Sequence, residues 1–225
     1  PLLAFIDADD LWDRCKLAKH VTLHSENPQL AASYARIAFI SHEADGLAGA
    51  QTVSSLCPHM PMLLDVLGDN PVCTTSNFVV RRDWFEMLGG FNEGLSFAED
   101  QDLVARLVNA LGQLGGIDAV LTGYRFSPDG LSMDLDRMYA GWRTVALQFL
   151  SSSELRPLEA LYCRYMARRV LRASGSPKQS FKFVMSGLRL DAAMFLQDRK
   201  RGLGTLVAAL MAPLFPALLR KRMFA

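Results

Sequence analysis

The sequence predicts an α/β domain followed by an α-helical extension, and two observations support this fold class. The apolar run at residues 2–6 ends in acidic residues, which indicates a strand buried on both faces of a mostly parallel sheet. Strand-like and helical patterns then alternate up to residue 124, whereas the pattern beyond Ser132 is entirely helical. We therefore expect a sheet flanked by helices over residues 1–132 and a helical extension over residues 133–225.

The first helix is predicted over residues 11–26, because Leu17, Val21 and His24 recur at helical spacing. Asn27-Pro28 is expected to end it, since the residue before a proline disfavours the helical conformation. The elements expected next are a strand at 33–42, a mostly irregular segment at 43–71 with a short helix near 62–67, a strand at 76–80 and a short helix at 83–88.

Gly89-Gly90 is expected to stop this short helix, because glycine accepts the left-handed conformation in which many helices end. A longer helix follows from Glu99, with Asp102 and Arg106 placed as an i,i+4 ion pair. Its apolar set has helical spacing and comprises Leu103, Val104, Leu107, Val108 and Leu111. Gly115-Gly116 is expected to end it. The remaining elements are a strand at 117–124 and helices at about 134–150, 154–173 and 177–197.

Charge is distributed unevenly along the chain. Residues 1–150 carry 10 Lys or Arg against 19 Asp or Glu, whereas residues 151–225 carry 14 against 4. An acidic body with a basic tail indicates an anionic partner for the tail, either a phospholipid surface or nucleic acid. Few aromatic residues for base stacking lie among the basic ones, so we expect no nucleic-acid partner. The four cysteines show no zinc-site spacing, which favours reduced thiols and a cytoplasmic location.

Asp7, Asp9 and Asp10 follow the first predicted strand directly, at the sheet edge where open α/β folds bind ligands. Carboxylates so close together repel each other unless a cation is shared between them. Mg²⁺ or Mn²⁺ held by one or two carboxylates completes its shell with water and phosphate oxygens, which suits a substrate that carries a diphosphate. The alternative is an acidic junction in which Asp10 or Asp13 only caps the next helix.

A second cluster lies about ninety residues later and consists of Gly89-Gly90-Phe91-Asn92-Glu93, Glu99-Asp100-Gln101-Asp102 and Arg106. The helix dipole favours acids at a helix start, but it does not explain why they follow a Gly-Gly-Phe turn at this distance. The order and spacing of this cluster after Phe5-Ile6-Asp7-Ala8-Asp9-Asp10-Leu11-Trp12 resemble the family 2 glycosyltransferases. The resemblance covers about residues 2–132.

This resemblance implies a GT-A-like mixed sheet and inverting transfer of a sugar from a nucleoside-diphosphate sugar, with Mg²⁺ or Mn²⁺ as cofactor. Asp9 matches the metal-ligating acid, and Asp7 matches the acid that contacts the donor ribose or the metal shell. Asp10 extends this donor-side motif. Asp100 matches the catalytic base, and Glu99 is its neighbour on the acceptor side. The expected acceptor is a saccharide or a lipid-linked molecule in surface polysaccharide or glycolipid assembly.

Two departures from the family pattern shape these expectations. The nucleotide-binding βαβ units of the family should precede Asp7 by roughly eighty residues or more, and they are missing from this sequence. We therefore expect the chain to hold only the C-terminal part of a catalytic domain. The Gln-x-x-Arg-Trp signature of processive polysaccharide synthases is also missing, which favours transfer of a single sugar.

Two other interpretations remain open from the sequence. The run Phe5-Ile6-Asp7-Ala8-Asp9 is similar to the first motif of haloacid-dehalogenase-type phosphatases, in which Asp7 is the nucleophile. However, Asp10-Leu11 stands where those enzymes carry Gly-Thr. Their lysine motif does not precede Glu99 either, since no lysine lies between Lys19 and Lys178. The other interpretation is a non-catalytic remnant that binds or docks without turnover.

The last segment, residues 202–219, holds eighteen positions without a charge between two basic clusters, Arg199-Lys200-Arg201 and Arg220-Lys221-Arg222. A helix of this length reaches ~27 Å, which is the short limit for crossing a bilayer. Pro213 and Pro216 would interrupt it. We therefore favour a peripheral anchor on the anionic inner face of the cell membrane over a helix packed on the catalytic body.

Overall fold

The computed structural model describes residues 1–41, 46–57, 59–126, 134–172 and 175–215. The chain divides into two compact units, Pro1–Asp134 and Leu135–Ala225. In the described residues, the first unit is a mixed sheet with flanking helices, and the second unit is helical.

A six-stranded mixed sheet forms the centre of the first unit. Its strands are β1 (Leu2–Ala4), β2 (Leu11–Trp12), β3 (Leu30–Ser41), β4 (Ala50–Val53), β5 (Val79–Arg81) and β6 (Gln113–Phe126). The strand order is β1-β5-β3-β6-β2, and β4 pairs with β3. The two long strands β3 and β6 run parallel and carry much of the buried core, including Tyr34, Ile37, Ile40, Leu114 and Leu121.

Strand β1 differs from the predicted strand buried on both faces of a parallel sheet. It pairs antiparallel with β5 and lies at one end of the described strand order. Its three residues are only partly buried, and Ile6, which follows them, is 51% exposed. The apolar run at residues 2–6 therefore marks an edge strand of the described sheet. The predicted position of this strand inside a parallel sheet is wrong. An apolar run looks the same in a sequence whether its strand lies inside a sheet or at a partly covered edge.

Helix α1 spans Lys16–Glu26, and its start differs from the prediction. Leu11-Trp12 forms strand β2 against β6 instead of the first helical turn. The helix ends as predicted, because the Asn27 amide donates to the Leu23 carbonyl at 2.9 Å and Pro28 follows.

The buried face of α1 is polar rather than apolar. Lys16, His20 and His24 are buried, whereas Leu17 and Val21 are 51% and 56% exposed. The predicted helical spacing was correct, but the apolar residues face outward and three titratable side chains face the sheet.

Three further α-helices lie in the described part of the first unit: α2 (Leu63–Asp69), α3 (Arg82–Met87) and α4 (Glu99–Asn109). All three were predicted, whereas β4 lies in the segment predicted to be irregular. Helix α4 ends earlier than expected, because Leu111 takes a left-handed backbone conformation with φ 62° and is 88% exposed. Gly115-Gly116 lies inside β6 and not at the helix end.

The second unit contains four helices in its described part: α5 (Leu135–Ala146), α6 (Ser152–Arg172), α7 (Pro177–Phe195) and α8 (Arg199–Met211). The Trp142 and Tyr162 rings stack at 4.2 Å between α5 and α6. The buried carboxylate of Glu159 accepts from the Tyr139 hydroxyl at 2.5 Å and from Arg143 Nε at 3.1 Å. The helical character predicted beyond Ser132 is confirmed for these residues.

Arg164, Arg168 and Arg172 recur at i,i+4 spacing on α6 as a basic stripe, and this stripe is not a uniformly solvated face. Arg164 is only 8% exposed, and its Nη1 donates to the Phe195 carbonyl at 2.9 Å. Arg164 therefore stabilises the packing of the helical unit. The side chain of Arg172, the third member of the stripe, lies outside the described residues.

The uncharged C-terminal segment forms α8 as far as Met211, and residues 216–219 lie outside the described residues. Of the helices in the described ranges, none is long and apolar enough to cross a membrane. Helix α8 buries small residues and exposes large apolar ones at helical spacing. The large residues that are more than 40% exposed are Leu203, Val207, Leu210, Met211 and, just beyond the helix, Leu214.

Candidate active site

The acidic motif forms a tight turn after β1. The Asp10 amide donates to the Asp7 carbonyl at 3.1 Å, which closes the turn Asp7-Ala8-Asp9-Asp10. Asp7 and Asp9 are exposed, whereas Asp10 is only 6% exposed. The turn therefore presents two carboxylates to solvent and buries the third.

Asp7 is held by the segment before β5. Its Oδ2 accepts from Ser76 Oγ at 3.1 Å and from Thr74 Oγ1 at 3.3 Å, and its own amide donates to Ser76 Oγ at 2.9 Å. The Trp12 indole donates to the Ser76 carbonyl at 2.8 Å. These bonds fix the direction of the Asp7 carboxylate from residues that lie far away in the sequence.

Asp10 is held by β6. Its Oδ1 accepts from the Arg125 amide at 2.9 Å, and Arg125 Nε donates to the Asp9 carbonyl at 2.7 Å. Burial raises the pKa of Asp10, and the Ser76 hydroxyl and the Arg125 amide partly oppose this shift. Its Oδ2 is buried and has no hydrogen-bond partner among the described residues. A buried carboxylate oxygen without a donor is a favourable place for positive charge to approach.

The Gly-Gly-Phe motif adopts the turn that the sequence predicts. Gly89 and Gly90 have φ values of 79° and 71°, in the left-handed region that favours glycine. Arg106 of α4 donates to the Leu88 carbonyl at 2.6 Å and to the Gly90 carbonyl at 2.8 Å. The turn is therefore fastened to the helix that carries Glu99 and Asp100.

The same arginine makes the predicted ion pair within α4. Arg106 Nη2 lies 2.7 Å from Asp102 Oδ2, and the Asp102 side chain is fully buried. One guanidinium thus pairs with Oδ2 of a buried carboxylate and with two turn carbonyls, while Asp102 Oδ1 has no hydrogen-bond partner among the described residues. This arrangement gives a physical reason for the fixed distance between the Gly-Gly-Phe turn and the acidic helix start.

Three aromatic rings join the two motifs. Phe5, which precedes the acidic turn, lies 5.2 Å from Phe91 of the Gly-Gly-Phe motif and 5.6 Å from Phe85 of α3. Phe85 and Phe91 are 5.6 Å apart and meet edge to face. Edge-to-face and tilted pairs at these distances are favourable beyond simple burial. The acidic turn and the start of α4 are therefore parts of one packed arrangement.

Asp100 is the most strongly perturbed carboxyl of this site. Burial raises its pKa from the ordinary 3.8 to about 7, and the charges of Glu99 and Asp7 add to the rise. The Gln101 amide donates to Asp100 Oδ1 at 2.6 Å and opposes it. An electrostatic effect of Asp7 on Asp100 means that the structure brings the two predicted acids near each other. Asp9 and Glu99 lie beside them in the chain.

Comparison with known proteins identifies the family. The model of the family described as glycosyltransferase-like family 2 matches residues 1–168. The chain belongs to this family. No curated protein matches the chain.

The family 2 assignment confirms the resemblance drawn from the two motifs and leaves the phosphatase interpretation without support. The match covers the whole first unit and continues into α6, beyond the residues 2–132 over which the motifs alone are similar. A mixed sheet with flanking helices, followed by a helical region, is consistent with a GT-A-like domain.

Sequence reasoning missed the residues that hold the acids of this family 2 domain. Thr74 and Ser76 lie in a segment with no recognisable motif, and only the fold brings them and Arg125 to the acidic turn. Trp12 was part of the quoted motif, and its role as a donor to Ser76 is visible only in the structure.

A buried polar chain on α1 also escaped the sequence analysis. Lys16 Nζ lies 3.3 Å from His20 Nε2, and His20 Nδ1 and His24 Nε2 lie 2.7 and 2.9 Å from Ser33 Oγ. Burial lowers the pKa of Lys16 to about 8 and that of His20 to about 3. The Lys16 ammonium lies 5.4 Å from the centre of the Trp12 ring. The i,i+4 spacing of Lys16, His20 and His24 was the available signal.

The oxygen donors of the acidic turn fit a hard divalent cation. Asp7 and Asp9 are exposed carboxylates, and the buried Asp10 Oδ2 is without a donor among the described residues. The ligand atoms of the three acids do not all lie within 4.8 Å of one another. Among the described residues, the group that meets this distance is Cys57, His59 and Asp65. An open set of one or two carboxylates suits Mg²⁺ or Mn²⁺, which takes its other oxygens from water and phosphates.

Proposed function

We propose that this family 2 domain catalyses metal-dependent, inverting transfer of a single sugar from a nucleoside-diphosphate sugar to an acceptor hydroxyl. The observation that carries the proposal is the packing of Phe5, which precedes the Asp7–Asp10 turn, on Phe91 of the Gly-Gly-Phe motif, together with an Asp100 whose pKa is raised to about 7. A perturbed carboxyl beside a second group of acids is typical of sites that carry out proton transfer.

The donor side of the site consists of the acidic turn. Asp9 and Asp7 are the proposed ligands of Mg²⁺ or Mn²⁺, with Asp10 behind them. When bound, the cation supplies positive charge that stabilises the departing nucleoside diphosphate. Ser76 and Thr74 hold the Asp7 carboxylate in one direction, which reduces the reorganisation needed when the donor binds.

Asp100 is the proposed general base on the acceptor side. An acceptor hydroxyl is a weak nucleophile, so a carboxylate within reach must take its proton as the oxygen attacks the anomeric carbon. A pKa of about 7 makes Asp100 a stronger base than an ordinary aspartate while leaving much of it deprotonated near neutral pH. A single direct displacement of this kind inverts the configuration at the anomeric carbon. Glu99 is the proposed acceptor-side neighbour.

The edge strand β1 offers a place for the nucleotide-binding units of the domain. It pairs with β5 on one side and is partly exposed, and Ile6 beyond it is 51% exposed. Edge strands with exposed apolar residues are ready templates for further strands. We therefore propose that the units that complete the donor pocket pair with β1 and cover Ile6.

The exposed apolar face of α8 favours a peripheral membrane location for this domain. Leu203, Val207 and Leu210 are 50%, 56% and 53% exposed, next to the basic residues Arg199 and Lys200. Apolar residues that enter the interface and cations that meet anionic headgroups together give peripheral binding. A cytoplasmic site on the inner membrane face is consistent with a lipid-linked acceptor for surface polysaccharide or glycolipid assembly.

Flotation with liposomes tests this location. The protein should float with vesicles that contain anionic lipid and much less with neutral ones, and Leu203→Glu with Val207→Glu should abolish flotation. A matched pair of charges at Leu17 and Val21, which are exposed on α1, should leave it unchanged. Equal flotation with both lipid types, or with the α8 variant, would exclude the proposed anchor.

Sugar transfer by the protein made from the complete gene tests the catalytic proposal. Nucleoside diphosphate release from a panel of nucleotide sugars, with extracted membrane lipids and oligosaccharides as acceptors, should require Mg²⁺ or Mn²⁺. Asp9→Asn should abolish this release. Asp118→Asn, which changes a carboxylate that is 78% exposed, should leave it intact. If no donor is consumed and Asp100→Asn has no effect in the cell, the non-catalytic interpretation replaces this one.

A further inference from the structure

A group of side chains of metal-ligating types lies outside the acidic turn, on the segment between β4 and α2 and on the first turn of α2. The thiol of Cys57, the imidazole of His59 and the carboxylate of Asp65 each offer a ligand atom, and these atoms lie within 4.8 Å of one another. His59 Nε2 is 3.0 Å from Asp65 Oδ2. The cysteine and histidine spacing of the sequence predicts no zinc site here, because the third member of the group is a carboxylate and not a second cysteine or histidine.

Two of the three residues are anchored to the body of the first unit. The Cys57 amide donates to the hydroxyl of Tyr34, a buried residue of β3, at 3.2 Å. Asp65 lies in the first turn of α2, and its Oδ2 accepts from the Met62 amide at 2.9 Å. His59 lies between them in the chain, and its side chain is 52% exposed, so its contact with Asp65 rather than packing sets its position. A preformed pair lowers the cost of assembling a metal site.

We propose that Cys57, His59 and Asp65 bind one Zn²⁺ ion. Thiolate, imidazole and carboxylate are the three protein ligand types of zinc, and a tetrahedral ion with three protein ligands keeps a fourth position for water or another ligand. Binding exchanges a proton for the metal: the Cys57 thiol proton passes to solvent. His59 takes the tautomer that carries its proton on Nδ1, so that the Nε2 lone pair binds zinc in place of the Nε2–H contact with Asp65.

This site differs in chemistry from the oxygen-only turn of Asp7 and Asp9. Mg²⁺ prefers oxygen ligands and near-octahedral geometry, so it competes poorly for a thiolate and an imidazole. The two sites are therefore distinguishable by excess Mg²⁺. The zinc proposal does not depend on sugar transfer, and its readouts need no donor or acceptor.

The place of the proposed ion gives it a structural consequence. Helix α2, which begins two residues before Asp65, packs on α4, where Gln101 Nε2 donates to the Val66 carbonyl at 2.6 Å. Gln101 directly follows Asp100 in the chain. A zinc ion would therefore fix the irregular segment before α2 relative to the helix start that carries the proposed base.

Zinc titration of the reduced, metal-stripped protein from the complete gene tests this proposal. In excess Mg²⁺, calorimetry should give one zinc site per chain, and Cys57→Ser and His59→Gln should each weaken it at least tenfold. Cys15→Ser, which changes an exposed cysteine elsewhere on the surface, and Asp9→Asn should both retain the site. The Cys57→Ser change keeps the backbone donor to Tyr34, so its effect reports the lost thiolate.

Cobalt substitution provides an independent measurement. Co²⁺ bound to the wild-type protein should show a thiolate charge-transfer absorption that Cys57→Ser removes and Cys15→Ser retains, and zinc should raise the melting temperature of Cys15→Ser but not of Cys57→Ser. Zinc binding that is equal in wild type and Cys57→Ser, or no binding at micromolar zinc, would overturn the proposal and leave His59 and Asp65 as a simple ion pair.

Discussion

The pKa of Asp100 leads to a prediction that joins stability to catalysis. A shift from 3.8 to about 7 means that the folded protein binds a proton more tightly than the unfolded chain does between these two pH values. The free energy of unfolding should therefore be highest near pH 4, fall as the pH rises towards 7, and stay low above it. Asp100→Asn removes the titration and keeps an oxygen that accepts from the Gln101 amide.

The size of the effect follows from the shift. Each pKa unit corresponds to about 1.4 kcal/mol, so the full shift sets an upper limit of about 4 kcal/mol. Linkage ties this free energy to the same pKa of about 7 that governs activity, so most of the limit, about 3–4 kcal/mol, should be observed. We expect Asp100→Asn to be more stable than wild type by this amount at pH 8 and equally stable at pH 4.

Activity should rise with pH over the range in which the free energy of unfolding falls. If Asp100 must be deprotonated to act as the base, kcat/KM of the wild type should fall about tenfold for each pH unit below 7. Urea unfolding of both proteins at pH 4 and pH 8, beside a pH profile of transfer, measures both effects. Equal stability of the two proteins at pH 8, or a flat activity profile between pH 5 and 8, would refute this assignment of Asp100.

Three further predictions concern the framework around the site. Lys16→Met should raise the free energy of unfolding by about 2 kcal/mol at pH 7, because burial lowers the Lys16 pKa to about 8. This gain should vanish above pH 10.5, where the lysine is neutral in both the folded and the unfolded chain. A gain independent of pH would contradict this explanation. Arg106→Met should lower the free energy of unfolding in urea by about 3–5 kcal/mol, because it leaves a buried carboxylate without its cation, and a loss below about 1 kcal/mol would show that the pair contributes little. Gly90→Ala should be more destabilising than Gly89→Ala by about 1 kcal/mol in thermal unfolding, because both have positive φ but only the new Cβ at Gly90 meets the Phe85 ring, at 3.3 Å; equal losses would show that the ring moves freely.

The elements with strong local signals were predictable from the sequence. Helix α4 begins at Glu99 as the acidic first turn indicates, and Gly89 and Gly90 adopt the left-handed conformation expected of a glycine stop. The helical extension also follows from apolar periodicity alone. These features depend on residues within one or two turns of each other, so a single stretch of sequence contains the whole signal.

The elements that depend on distant partners were not predictable. Leu11-Trp12 is a strand only because β6 lies beside it, and Gly115-Gly116 lies in a strand because β3 pairs with it. The polar buried face of α1 could not be read from the apolar pattern, since the partners of Lys16 there, His20 and the Trp12 ring, are brought together only by the fold. Tertiary pairing decided each of these cases.

The sequence names the acids of the candidate site but not the residues that hold them. Asp7, Asp9 and Asp100 stand in motifs, and the packing of Phe5 on Phe91 brings the two motifs together. Ser76 carries no sequence signal, because its role depends on a single geometry of the folded chain.

The most direct test of the proposed mechanism is the rate of sugar transfer by Asp100→Asn at pH 8, with saturating nucleotide sugar and Mn²⁺, measured beside its affinity for the donor. The mechanism predicts an affinity within about threefold of wild type and a rate lowered at least about a hundredfold, because the acidic turn is intact and the base is removed. A rate close to that of wild type would contradict the central claim that Asp100 takes the acceptor proton.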